Sequence, residues 1–183
     1  MEKIDQLSAQ IVWSPLDLEG GESREIYCAS DKQLFDIEAF LGTSLPSDYK
    51  WFMKNYGMRI IEDDRVNLNL NGVSMSFLSM FSAADDALIG TEMWSDSKNQ
   101  SPRILPETLI IADSISNDLV IMDLSETNYG KIYFISNLKA WGAFEDDDYM
   151  VLLAESFTEL LSKIVHNENP TEPDFNIPDD MIC

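Results

Sequence analysis

The side chains that could do chemistry in this chain are few. His166 is its only histidine, and it stands at the end of a stretch with helical apolar periodicity. An imidazole there complements a helix dipole, whereas a general base needs further groups around it. Cys28 has no histidine near it in sequence and reads as a structural thiol. No G-x-S-x-G, P-loop or C-x-x-C pattern occurs. Carboxylates are the abundant reactive type, densest at Glu62-Asp63-Asp64 and Glu145-Asp146-Asp147-Asp148. Neither run has the spaced D-x-D-x-D-G pattern that wraps oxygens around Ca²⁺. Consecutive acids on a loop read as solvated surface. The expectation is a protein that is no enzyme, with no catalytic residue, no cofactor and no metal site.

What carboxylates in such numbers can do is bind. The chain has 33 Asp plus Glu against 12 Lys plus Arg, a formal net charge of −21. That field disfavours direct contact with nucleic acid phosphates and anionic lipid. It attracts basic proteins and raises their association rates towards about 10⁸–10⁹ M⁻¹s⁻¹ at low salt. The same charge also keeps a protein soluble. Trp141 and Tyr149 flank the run Glu145, Asp146, Asp147 and Asp148, so an aromatic anchor ringed by acids is one reading of that loop. Trp141 folded onto the core edge is the other. Asp85 and Asp86, and the connection from Asp113 to Asp118, are further acidic candidates for a partner surface.

These residues need elements to hold them. Leu34, Ile37, Phe40 and Leu41 have helical spacing, with Ser30 or Asp31 as N-cap and Gly42 where a left-handed C-cap belongs. Pro46 suits the first turn of a second helix, in which Tyr49, Phe52, Met53 and Tyr56 share a face and Gly57 closes the end. Val66, Leu68 and Leu70 alternate with polar residues up to Asn71-Gly72, and Val73, Met75 and Phe77 alternate after it. A two-residue turn then pairs Leu70 with Val73, Leu68 with Met75 and Val66 with Phe77. Ser82 can cap a helix running towards Trp94. Leu109–Ala112, Leu119–Met122 and Ile132–Ile135 read as strands, joined closely enough to be antiparallel neighbours. Residues 137–149 read as a loop. In the final helix, Ser156 and Glu159 have capping-box spacing, and Phe157, Leu160, Leu161 and Ile164 make the apolar face. The pattern predicts that Tyr49, Phe52, Met53, Phe157, Leu160 and Leu161 pack on a sheet containing the Asn71-Gly72 hairpin.

The 183 residues suffice for one domain that buries about 70% of its unfolded-chain surface without disulfide staples. The expected organisation is an N-terminal arm over 1–30, a domain over 31–166, and an acidic, flexible tail over 167–183. Ile11-Val12-Trp13 reads as a short strand or a docking arm. The two cysteines, Cys28 and Cys183, make no disulfide framework. The polar N-terminus resembles no signal peptide, and no apolar run reaches the roughly 18 residues of a membrane span. A cytoplasmic monomer or weak dimer is expected.

Several segments together carry a family likeness. Ile37-Glu38-Ala39-Phe40-Leu41-Gly42 followed by Leu45-Pro46-Ser47-Asp48-Tyr49-Lys50-Trp51-Phe52-Met53-Lys54-Asn55-Tyr56-Gly57 resembles the opening signature of the SUKH superfamily. Leu153-Ala154-Glu155-Ser156-Phe157-Thr158-Glu159-Leu160-Leu161 is similar to its closing A-x-S-F-x-E-F-L segment. Leu105-Pro106, Ile110–Ala112, Asp118–Asp123 and Gly130–Tyr133 follow its strand order. Asn55-Tyr56-Gly57 departs from the family's tighter N-G, and Ser114–Asn117 stands where it has a glycine-containing turn. The resemblance implies an α+β fold with a mostly antiparallel sheet and helices packed on one side. It also implies a non-enzymatic binding protein. Bacterial members are typically immunity proteins that neutralise polymorphic or contact-dependent toxins, many of them nucleases, and fungal members are adaptors in cell-wall signalling. An acidic nucleic-acid mimic is a further alternative. The matched residues are scaffold, so the resemblance assigns no binding site.

Overall fold

The computed structural model describes residues 2–15, 24–62, 67–70, 73–76, 80–95, 104, 106–113, 119–135 and 150–166, with 67–70 and 73–76 described by their backbone. The chain runs α1 (Glu2–Gln10), a 3-10 turn (Arg24–Tyr27), α2 (Asp31–Leu41), α3 (Ser47–Asn55), β1 (Arg59–Ile60), β2 (Asn67–Leu70), β3 (Val73–Ser76), β4 (Met80–Phe81), α4 (Ala84–Ser95), β5 (Thr108–Asp113), β6 (Leu119–Asp123), β7 (Ile132–Ile135), β8 (Met150–Ala154) and α5 (Phe157–Val165). The fold is α+β. Its main sheet has six strands in the order β1-β4-β5-β6-β7-β8, and every pairing is antiparallel.

Strand alternation sorts the apolar residues onto two faces. Leu109, Ile111, Val120, Met122, Ile132, Phe134 and Leu153 join the large core formed with the helices. Ile110, Ile121 and Ile135 point the other way and form a second cluster with Ile104, bordered by Trp94, Leu119 and Tyr133. Both faces of the central strands are therefore dry, which is why β5 and β6 read as continuous apolar runs.

The large core is built around rings. Phe52 of α3 lies 5.2 Å from Phe81 of β4 and 5.1 Å from Phe157 of α5, and Phe81 and Phe157 are 5.7 Å apart. Tyr49 meets Phe157 edge-on at 5.2 Å. Tyr49, Phe52, Phe81 and Phe157 have no exposed surface. One carboxylate fixes how the two helices meet. Oδ2 of Asp48, in the first turn of α3, accepts from both N–H and Oγ1 of Thr158, at 2.9 and 2.8 Å. An N–H in the first turn of α5 is thus satisfied from another helix. Leu45 N–H and Lys50 Nζ both donate to Glu38 Oε1 at 2.8 Å, tying α2 to α3. Burial alone would push the Glu38 carboxyl up, but these two bonds outweigh it and hold the carboxyl below its ordinary value.

The ends of the helices follow their chemistry. Ser30 caps α2 in a reciprocal capping box with Gln33, and Gly42 closes it at φ 70°. Ser156 Oγ accepts from Glu159 N–H at 3.2 Å. The return bond of that capping pair falls one residue early, with Glu159 Oε2 accepting from Glu155 N–H at 3.0 Å. Gly57 ends α3 at φ 66°, where a Cβ would lie 1.8 Å from the Tyr27 carbonyl oxygen. That carbonyl accepts from Met58 N–H, while Ala29 N–H covers the Met53 carbonyl at the end of α3. The approach of residues 27–29 to α3 thus depends on the absence of a side chain at Gly57.

The first fifteen residues, hard to read in sequence, pack into the same core. Ile4, Leu7 and Ile11 are buried in it. The Trp13 indole donates to Ser8 O at 2.8 Å and lies 6.0 Å from the Phe52 ring. Ser14 N–H bonds Ile60 O and Glu62 N–H bonds Val12 O, so this segment extends the sheet beyond β1.

The hairpin register is as expected where it is described, pairing Leu70 with Val73 and Leu68 with Met75. Val66 and Phe77 lie outside the described residues. The hairpin is not part of the sheet under the helices, however. It forms a separate two-stranded sheet, and the helices pack on β1 and β4–β8. A local turn determines a hairpin's internal pairing but says nothing about which edge it joins. β1, β4 and β8 were not read from the sequence. The first two are two residues each, too short for alternation to show. α4 begins at Ala84, and Ser82 instead donates its N–H to Ile111 O beside the sheet. β4 covers only the far end of β5, pairing Phe81 with Ala112 and Met80 with Asp113. α4 serves the rest of that edge: Thr91 Oγ1 accepts from Ile110 N–H at 3.0 Å and donates to Ala87 O.

Leu160→Ala, at a site with no exposed surface, is expected to cost about 2–5 kcal/mol, and Ser156→Ala about 1 kcal/mol, in urea melts. Gly57→Ala should cost roughly 2 kcal/mol or more through its left-handed φ and the Tyr27 contact, and Asn there should be less damaging to the backbone but equally crowded. Because the Glu38 carboxyl is depressed on folding, its contribution is present above the unfolded value of about 4.3 and fades as pH falls through the folded value. The stability of Glu38→Gln should accordingly fall less steeply than wild type below about pH 4.3, measured by melting at stepped pH.

Candidate functional site

The acidic candidates divide between described and undescribed residues. Trp141, Glu145, Asp146, Asp147, Asp148 and Tyr149 lie outside the described residues, as does Asp118. Asp113 is described by its backbone, at the end of β5 between Met80 of β4 and Leu119 of β6. Asp85 and Asp86 are exposed in the first turn of α4, where the dipole of the helix favours negative charge. Asp85 Oδ2 accepts from Gln33 Nε2 of α2 at 3.0 Å. Lys32 pairs with Asp36, which together with the more distant Asp85 raises its ammonium pKa. The acidic turn of α4 is thus held against α2 without being neutralised.

The other chemistry-bearing side chains sit apart from these. His166 is the C-cap of α5, its Nδ1 2.6 Å from Ser162 O, so the ring closes the helix end. Cys28 is half-buried beside the end of α3. Among the described residues, no group of three or more His, Cys, Asp or Glu side chains converges as a metal site would require. No helix among them is long and apolar enough to cross a membrane.

Tertiary packing also creates a feature that linear reading did not reveal. An open groove of about 600 Å³ lies between α2 and α3, lined by Phe35, Trp51 and the pairs Glu38–Lys50 and Asp31–Lys54. Phe35 is 65% exposed on its rim. Its four charged side chains are two acids and two bases, joined at 2.8 and 2.6 Å. The groove is therefore locally neutral on a strongly acidic protein. Phe35 stands next to Leu34 in the helical pattern but one position off the buried face, which is the sequence signal for it.

With helices α1, α2, α3 and α5 on one face of an antiparallel sheet and acidic side chains displayed on α4, the fold and surface chemistry can be set beside known proteins. A search of curated proteins returns no match. The model of the SMI1 / KNR4 family (SUKH-1) matches residues 28–163. The match runs from the segment that crosses Gly57, through strands β1 to β8, to Lys163 in the last turn of α5, and so takes in Tyr49, Phe52, Phe81 and Phe157 but not α1. On that match, across well over half its length, this chain belongs to the SMI1 / KNR4 family (SUKH-1).

Proposed function

We propose that the protein is a cytoplasmic, non-enzymatic immunity protein that binds and neutralises a bacterial polymorphic or contact-dependent toxin through an acidic surface. The observation that carries this reading is family membership over residues 28–163 combined with a net charge of −21. The family is known broadly for immunity and cell-wall-related roles, and both are binding tasks. A toxin that acts on nucleic acid needs a basic surface of its own, to which an acidic inhibitor is complementary. Asp85, held by Gln33, and Asp86 are both exposed at a helix end.

Physics assigns separate tasks to charge and apolar contact. Like charges crowded on one surface repel, and a positive partner relieves that repulsion while steering the encounter. Lifetime comes from a desolvated centre. The segment with Trp141, Glu145, Asp146, Asp147, Asp148 and Tyr149 combines both in sequence and is the first to test.

The test uses the product of the neighbouring gene, inactivated if it proves toxic. A one-to-one complex that restores growth on co-expression supports immunity, and no binding at micromolar concentration defeats it. Asp146→Asn/Asp147→Asn should slow association by at least about threefold and flatten its salt dependence. Trp141→Ala should instead speed dissociation. Unchanged rates in both variants would place the interface on another surface.

A further inference from the structure

Helix α4 is two-sided in an unusual way. Its inward positions are small: Ala84, Ala87 and Thr91 are buried, with Leu88 half-buried beside them. A Cβ on Gly90 would lie 3.7 Å from Ile110 Cδ1, so small residues let the helix backbone lie close to β5. The outward positions are Asp85, Asp86, Ile89, Glu92 and Met93, all exposed. Ile89 is 54% and Met93 65% exposed. They are four residues apart and so form one short stripe along the helix. Helical geometry puts Asp85 and Glu92 along one side of that stripe and Asp86 along the other. No lysine or arginine occurs between Ala84 and Ser95.

The fold itself gains little from Ile89 and Met93, because neither is buried. Both leave apolar surface in water at a position where the helix already has a packing face. The charge around them selects what can cover it. An approaching acidic or neutral surface would desolvate Asp85, Asp86 and Glu92 without compensation, whereas lysine or arginine at the rim would pair with them. A helix with its own apolar ridge fits a stripe one turn long, and methionine adapts to different ridges.

We infer that the outer face of α4 is a docking surface for a basic amphipathic helix of a partner protein, with Ile89 and Met93 as its apolar anchor and Asp85, Asp86 and Glu92 as its charged rim. This rests on the protein-binding reading above and names a surface and a partner chemistry for it.

Two measurements separate the surface from the toxin. The first uses a synthetic helical peptide with a leucine stripe flanked by lysines, and a twin with glutamates in place of the lysines. With Ile and Met methyl groups labelled, the lysine peptide should shift the Ile89 and Met93 resonances and the glutamate twin should not. Ile89→Ala/Met93→Ala should weaken the lysine peptide by about tenfold, with an unchanged thermal melt showing that the fold is intact. Shifts that spare Ile89 and Met93, or equal affinity for the double variant, would overturn the inference. The second repeats the double variant against the neighbouring gene product. Faster dissociation supports both readings. A toxin that binds wild type and double variant alike leaves immunity standing and removes α4 as the interface. A toxin that does not bind at all, with the lysine peptide still engaging α4, removes the immunity reading and keeps the surface.

Discussion

Phe52, Phe81 and Phe157 come from a helix, the short strand β4 and the last helix, and their rings meet within 5.1–5.7 Å at a point with no exposed surface. Each ring desolvates the other two, so none of the three elements can shift without opening a cavity beneath the others. The Asp48–Thr158 bonds act on the same junction by fixing how α5 starts relative to α3. Around this point the sheet supplies Leu109, Ile111, Val120 and Met122, and α1 supplies Ile4 and Leu7.

The same architecture explains where function can sit. All five helices contribute buried residues to the core on one face of the sheet and the second cluster around Ile121 lies on the other, so among the described residues the central strands keep no open face for a partner. What remains is the outside of the helices and the connections between strands. α4 differs from the other helices because its inward side is made of small residues and its outward side keeps two large apolar ones. The α2–α3 groove is a recess whose paired lysines and acids cancel, leaving it without the chain's acidic bias.

Among the described residues, the carboxyls whose pKa values are displaced sit at structural contacts. Glu38 and Glu159 have depressed carboxyl pKa values, and each is explained by backbone N–H and lysine contacts that close helix ends. Tyr49 is pushed upward by burial alone, as part of the aromatic core. These shifts belong to structural joints.

The sequence by itself determined the elements whose signals are local. Caps at Ser30, Gly42 and Ser156, the apolar faces of α3 and α5, the Asn71-Gly72 register, the strands β5, β6 and β7, and the family signature from Ile37 to Gly57 were all legible, because each depends on residues a few positions apart. The acid excess was legible too. Tertiary structure decided the rest. β1 and β4 are two-residue strands that exist only because their neighbours supply hydrogen bonds. The first fifteen residues carry little pattern, yet Ile4, Leu7 and Ile11 find a core to enter. The hairpin pairs as its turn dictates but stands apart from the main sheet, since edge choice is made by distant strands. On α4, Ile89 and Met93 look in sequence like core positions beside Ala87 and Leu88. They face outward because close packing of Ala84, Ala87 and Thr91 on β5 chooses which side of the helix is buried, and that choice depends on contacts with residues far along the chain.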